Sequence, residues 1–393
     1  MEIANLAKDV LDRLNKELTD MKHVNIIVAG KTGVGKSTLI NSVFREKLAD
    51  TGIGAPVTKC IKELSKPGLP LRVYDTVGLE LTGERQKEAQ NDITQIISTA
   101  IKSGDSDRFI HCIWYCVSVD SNRFEPAEEA FIEALAGEGN AANVPVVVVL
   151  TLAHNKKKSA EMKAYIKSKN LHCKGIFCVL AEDYIDEDFC RKAYGGDELV
   201  EFTSSLLPEL AQNAFANAQR ASLKLKRTRA HAVVATTTAA SFAEGFIPLP
   251  FADATALVPT QVGMIASITA VYGISMDKAM MSAILSSLLG TTGATIAGRT
   301  IVSNILKLVP GIGSAIGGTI SGATAAMITT ALGETYILLM EMITAGEIKT
   351  TELGTARVIK KVQALFKTSL TALKPKKPLQ IPLFKGKSKN QHD

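Results

Sequence analysis

The run VNIIVAGKTGVGKSTLI, residues 24–40, constrains this chain more than any other feature. A β-branched apolar stretch leads into Gly30, and Gly35-Lys36-Ser37 completes a GxxxxGK[ST] spacing ahead of a helix-prone segment. Glycines at these positions let the backbone curl until successive N–H groups face inward, which makes a concavity for phosphate oxygens. The N-terminus of the following helix adds a partial positive charge. Gly30, Lys31, Thr32, Gly33, Val34, Gly35, Lys36, Ser37 and Thr38 are therefore the expected phosphate cradle. Lys36 is placed to reach the β- and γ-phosphates, and Ser37 to put its hydroxyl on Mg²⁺.

Two later elements fit the same chemistry. Asp75-Thr76-Val77-Gly78 ends the apolar strand LRVYD, where Asp75 can hold a magnesium-bound water and the Gly78 N–H can sense a γ-phosphate. Thr58, in GAPVTK, lies between the phosphate loop and that strand and is the candidate to complete the metal shell, with Thr51 as its competitor. The reading from residues alone is thus a nucleoside triphosphate site with Lys36 and Thr58 as catalytic candidates and Ser37, Thr58 and Asp75 as metal ligands.

Up to about residue 230, short β-branched runs alternate with charged, helix-like stretches, the pattern of an α/β layer fold with a mostly parallel sheet. Strands are expected at 24–29, 60–64, 71–75, 109–119, 144–150 and 175–180, and helices at 36–44, 84–102, 126–135, 159–168 and 197–219. The strand at 60–64 should run antiparallel to the one at 71–75 because a short loop joins them. Ahead of the first strand, Ile3, Leu6, Val10, Leu14, Leu18 and Met21 recur at three- and four-residue steps, which marks an amphipathic helix packing on a domain.

Beyond about residue 230 charge nearly vanishes. No formal charge falls between Asp253 and Asp277, between Lys278 and Arg299, or between Lys307 and Glu334. Each gap is near the roughly 20 residues of a membrane span, yet Thr, Ser, Gln, Gly, Pro259 and Pro310 dilute them. Gly313, Gly317, Gly318 and Gly322 permit close helix approach in either a soluble bundle or a membrane hairpin. From Arg357 to Lys389 there are many lysines and no acid, beside an apolar helical face of Val358, Val362, Leu365, Phe366, Leu370 and Leu373 that Pro375 ends. A basic amphipathic stretch of that kind is suited to an anionic membrane surface. Six scattered cysteines, with no CxxC pair, are expected as core thiols in a reducing cytoplasm. The net charge of +6 and a tail with few aromatics give no support to nucleic-acid binding.

GKTGVGKST, then GAPVTK, then DTVG resembles the translation-factor class of small GTPases, and within it the Era-like branch. FIHCIWYCVSVDSNRFEPAEEAFI is similar to the HSR-type members of that branch, and IPLPFADATALVPTQVGMIASITAVYGIS to the YcjF-type domain of unknown function that often follows such G domains. The resemblance implies a Ras-like P-loop G domain with a mostly parallel six-stranded sheet, followed by an apolar α-helical domain. It implies GTP/GDP and Mg²⁺ as ligands. The expected organisation is an N-terminal helix over 1–22, a G domain over 23–220, a helical domain over 221–355 and a basic tail over 356–393.

The family reads guanine with [NT]KxD, but here the strand VPVVVVL runs into Thr151-Leu152-Ala153-His154. Thr151 fits, while Leu152 and His154 replace the residues that do most of the recognising. Leu79 stands where a water-orienting Gln is found in Ras-like members, and Gly33 where potassium-activated members carry Asn. Slow hydrolysis is expected unless a second copy or an activator protein supplies a group. The expected function is a GTP switch that drives the helical domain, in the cytoplasm or at the inner face of the cell membrane. The rival readings are a ribosome-associated assembly GTPase and a nucleotide-binding module that barely hydrolyses.

Overall fold

A computed structural model describes residues 3–51, 53–58, 60–76, 84–121, 123–136, 143–186, 189–244, 257–289 and 322–373. At its centre is a seven-stranded sheet in the order β2-β3-β4-β1-β5-β6-β7. Its strands are β1 (Val24–Ala29), β2 (Ile53–Pro56), β3 (Ile61–Ser65), β4 (Leu71–Thr76), β5 (Cys112–Ser118), β6 (Val146–Thr151) and β7 (Gly175–Cys178). β1 pairs in parallel with β4 and β5, and β5–β6 and β6–β7 are parallel too; β3 is antiparallel to both β2 and β4. The six expected strands are all present, and β2 extends the sheet at its edge. IGAP escapes notice in the sequence because Gly54 and Pro56 are residues that strands avoid except at edges.

Alternation along the strands sorts side chains onto two faces. Ile27, Ile113, Tyr115, Val146, Val148 and Leu150 pack with α4 (Glu84–Ser103), α5 (Pro126–Ala136) and α6 (Lys156–Ser168). On the opposite face Ile26, Val28, Val73, Trp114, Cys116, Val147 and Val149 join α2 (Lys36–Val43), α7 (Gly196–Leu206) and α8 (Glu209–Ala218). On that second face the Trp114 ring stacks on Phe44 at 5.8 Å and donates from Nε1 to Thr203 Oγ1 at 3.1 Å. The single helix expected over 197–219 is instead two, α7 and α8, because Pro208 removes an N–H and disfavours helical backbone at Leu207. A short α3 (Leu48–Thr51) and a small hairpin, β8 (Tyr184–Asp186) with β9 (Phe189–Arg191), complete the α/β part.

The core continues from α8 into an all-helical unit of α9 (Leu223–Glu244), α10 (Leu257–Tyr272), α11 (Lys278–Leu289), α12 (Gly322–Thr344) and α13 (Ala356–Ala372). The N-terminal helix α1 (Ile3–Asp20) lies on α10 and α11, with Ile3, Leu6, Ala7, Val10 and Leu14 buried. α9 and α12 run antiparallel along a polar ladder: Arg227 with Glu341, His231 with Glu334, and Thr238 with Thr330. They pack tightly at Gly333, where a Cβ would come within 2.5 Å of Val234, and at Gly322, where one would come within 2.5 Å of the Phe242 carbonyl.

α12 is the one helix among the described residues long and apolar enough to cross a membrane, and more than half of that apolar stretch is buried within the protein. Val358, Ile359, Val362, Phe366 and Leu370 of α13 are buried as well, against α11 and α12. Most of the apolar face that the sequence offers to lipid is therefore already occupied, and Leu373 at its end is exposed. Pro310, Gly313, Gly317 and Gly318 lie outside the described residues. All six cysteines are free: Cys112 and Cys116 are core residues as expected, whereas Cys60, Cys173 and Cys178 are half-buried and Cys190 on β9 is exposed.

Candidate nucleotide site

β1 ends at the sheet's centre, and the chain leaves it through Gly30 at φ +145°, where a Cβ would stand 2.4 Å from the Cys116 carbonyl of β5. No side chain fits there, so the loop can pass only as glycine. Gly33 and Gly35 take φ of +78° and +88°, the left-handed region that turns the loop back on itself. Gly35 also caps α2, and its carbonyl accepts from the Leu39 N–H at 3.0 Å. Lys36 is buried, and its Nζ donates to the carbonyls of Gly30 at 2.9 Å and Lys31 at 3.0 Å. Val34 is buried, whereas Thr32 and Ser37 are exposed and Thr38 is half-buried at the start of α2.

Asp75, next to the end of β4, is paired in register with Val28 of β1. Its Oδ1 is buried with no hydrogen-bond partner among the described residues. Burial raises its pKa, and the positive charges of Lys36 and Lys62 oppose that rise. A carboxylate that is desolvated, unpartnered and next to a lysine fits a site completed by a hydrated cation. Thr76 behind it is fully buried, its hydroxyl donating to Val28 O at 3.3 Å. Gly78 and Leu79 lie outside the described residues.

Thr58 is placed elsewhere. It sits in the turn between β2 and β3, where its hydroxyl accepts from the Cys60 N–H at 3.2 Å and its own N–H donates to Ile61 O. Together with Tyr74, Ile96 and Thr99 it lines a hollow against α4. The side chain of Thr51, at the end of α3, lies outside the described part of the structure. The structure thus gathers Lys36, Ser37 and Asp75 around the loop and leaves Thr58 engaged in its hairpin turn.

Lys31 has partners that the motif does not announce. Its Nζ is 2.9 Å from Glu125 and 3.4 Å from Glu128, at the start of α5. Glu128 is buried and accepts from the Glu125 N–H at 2.9 Å. Burial pushes its carboxyl up, and the Glu125 N–H and Lys31 draw it back. Glu125-Pro126-x-Glu128 carries the signal of a helix start, proline at its first position and an acid in the first turn. Nothing in the spacing reveals that the lysine beside Gly30 completes it.

On the far side of the loop, the Thr151 hydroxyl bonds to the carbonyls of Val34 and, at 3.1 Å, Val117. Leu152 adopts φ +53° and carries its side chain to 3.7 Å from where a Cβ on Gly35 would be. A branched residue in left-handed backbone is strained, and such strain concentrates at ligand sites. Asn155 is taken up as the N-cap of α6, accepting from the Lys158 N–H at 3.1 Å. This capping starts the helix at Lys156, three residues earlier than periodicity alone indicates.

Comparison with known proteins agrees with this geometry. Residues 25–152 match the family MMR_HSR1, described as 50S ribosome-binding GTPase, and residues 208–368 match DUF697, a domain of unknown function. The second match includes most of α13, which ties the first part of the basic tail to the helical unit. The chain is 30% identical over 159 residues to the Translocase of chloroplast 34 homolog of Chlamydomonas reinhardtii, covering 37% of this chain and 39% of that protein. It is 30% identical over 116 residues to the tRNA modification GTPase MnmE of Geotalea uraniireducens, covering 29% of this chain and 23% of that one. The chain thus spans well under half the length of these curated relatives. Among solved structures, Toc33 of Arabidopsis thaliana with Mg²⁺ and GMPPNP aligns at 17% identity and a TM-score of 0.32, over 51% of this chain and 91% of that one. The chain carries a GTPase domain of the MMR_HSR1 family followed by a DUF697 domain.

Proposed function

We propose that this protein is a slow GTPase in which helix α2 couples nucleotide state to the helical unit. The observation that carries the proposal is where α2 begins and ends. Its first residues, Lys36 and Ser37, belong to the phosphate loop. Its last carbonyls, Asn41, Ser42 and Val43, accept from the side chain and N–H of Arg220, at 2.7, 3.0 and 2.8 Å. Directly beyond it the Arg45 N–H donates to Ala218 O at 2.9 Å. Arg45 also bonds to Asn217, which reaches Ala270 of α10. Beside that joint Lys226 of α9 is buried, donating to carbonyls at the ends of α8 and α10, including Ala216 at 2.6 Å and Tyr272 at 2.9 Å. Packed helices transmit small displacements because they are stiff and their interfaces are discrete.

The loop N–H groups and the start of α2 hold the phosphates. Lys36 exchanges its bonds to Gly30 and Lys31 for the β- and γ-phosphates, and Thr58 leaves the Cys60 N–H when triphosphate is bound. Ser37 and Asp75 are the residues that would hold Mg²⁺, whose charge neutralises what develops on the transferring phosphoryl group. Leu79 offers no hydrogen bond to water, so fast turnover depends on a group from a second copy or an activator protein. Since the apolar face of α13 is packed, attraction to an anionic membrane surface rests on the lysines of the tail.

Calorimetry with GTP and GDP, followed by single-turnover hydrolysis of purified monomer, tests this reading. The expected turnover is on the order of 10⁻⁴ to 10⁻² per second, the range of related enzymes without a supplied activator. Turnover of tens per second by the monomer would sink the slow-GTPase claim. Hydrogen exchange in α8 to α10 that is identical with GTP and GDP would sink the coupling.

A further inference from the structure

The loop that should read the base has lost its carboxylate, and the structure shows what stands in its place. Four of its five residues are already committed. Thr151 bonds to Val34 and Val117, and Leu152 lies against Gly35. Ala153 donates to Val179 O and accepts from the Tyr194 hydroxyl at 2.7 Å. Asn155 caps α6. His154 remains, half-buried, its ring stacked on Tyr184 of the β8–β9 hairpin at 4.4 Å and 12°. Its Nε2 lies 3.5 Å from the Asp120 carboxylate.

We propose that His154, oriented by Asp120 and stacked on Tyr184, is the base-reading residue, and that the site takes 6-oxopurine nucleotides as a class rather than guanine alone. The inference rests on the nucleotide reading above. A carboxylate beside Nε2 favours the proton on that nitrogen and leaves Nδ1 as an acceptor. Guanine presents two donors on its pairing edge, N1–H and the 2-amino group. A carboxylate accepts both, whereas a single imidazole nitrogen accepts one. Hypoxanthine keeps N1–H and loses only the 2-amino group, so it satisfies the imidazole equally well. Adenine presents an acceptor at N1 and meets Nδ1 lone pair to lone pair. The Tyr184–His154 stack supplies an aromatic surface for the purine, an attraction shared by all bases.

The test is calorimetry of the full chain with Mg²⁺ and GTP, ITP or ATP. Wild type is expected to bind GTP and ITP within about threefold of each other and ATP at least about tenfold more weakly. His154→Asp, which restores a two-acceptor group, is expected to favour GTP over ITP by about tenfold or more. His154→Ala and Tyr184→Ala should weaken GTP and ITP alike by about tenfold, while Tyr184→Phe retains affinity. Wild type favouring GTP over ITP by more than about tenfold would overturn the proposal, as would unchanged affinity in both alanine variants. If wild type binds none of the three nucleotides, the phosphate-loop reading fails and this inference with it. Binding that ignores His154 and Tyr184 overturns this inference only.

Discussion

Lys36 Nζ donates to the carbonyls of Gly30 and Lys31, at the mouth of the loop it belongs to. The same ammonium that holds the loop closed on itself is the one a phosphate must recruit. Lys36→Ala is therefore expected to weaken GTP by about 10- to 100-fold, the value of a charged hydrogen bond. Isothermal calorimetry measures it. Retained affinity would mean that phosphate is held elsewhere.

Gly30→Ala is expected to lower stability by about 1–3 kcal/mol, since the added methyl meets the Cys116 carbonyl in a strand that cannot retreat. Gly33→Ala meets no atom within 4 Å and carries only the cost of left-handed backbone. Thermal melts of the two variants should rank Gly30→Ala as clearly the less stable.

A third expectation concerns acid. Asp107 is held down to about 2: burial tends to raise its pKa, but the His23 N–H, the Arg72 guanidinium at 2.8 Å and the His23 ring outweigh it. A carboxyl whose folded pKa is depressed contributes stability above its unfolded value, near 4, and loses it as pH falls toward the folded value. Asp107→Asn should flatten the fall in urea midpoint between about pH 4 and pH 2. An unchanged acid limb would show that other carboxylates dominate. The group is partly exposed, so solvent screening keeps the effect small.

In the helical unit, Gly333→Ala forces α9 and α12 apart at Val234, with an expected loss of about 1–3 kcal/mol. GTP affinity should stay within about twofold of wild type, because the strain falls at Val234 and Met264, away from the Arg45–Asn217–Ala270 joint that the coupling is proposed to use. A large drop in affinity would mean that the α9–α12 spacing is felt at the phosphate loop.

Much of this architecture is legible in the sequence because its signals are local. The β-branched runs of β1, β5 and β6 are buried on both faces and read as strands directly. Lys36 and Asp75 are legible because their spacing follows from phosphate geometry. What escapes depends on partners distant in the chain. Lys31 meets Glu125 and Glu128 only across the sheet, and Tyr184 reaches His154 only because a hairpin follows β7. The apolar face of α13 is ambiguous for the same reason: amphipathicity tells that a face is covered, but not whether lipid or protein covers it.

The position of α1 sets a schedule for making the protein. Its apolar face is covered by α10 and α11, and its Glu17 accepts from Ser267, 250 residues later. At roughly 5–20 residues per second, the ribosome needs about 12 to 50 seconds between those two residues. An amphipathic helix takes most of its stability from the packing of its apolar face. During that interval Leu6, Val10 and Leu14 have no native surface to meet while the sheet folds beside them. A segment made some 250 residues ahead of its partners is thus among the last to be buried, which makes it a natural foothold for a chaperone.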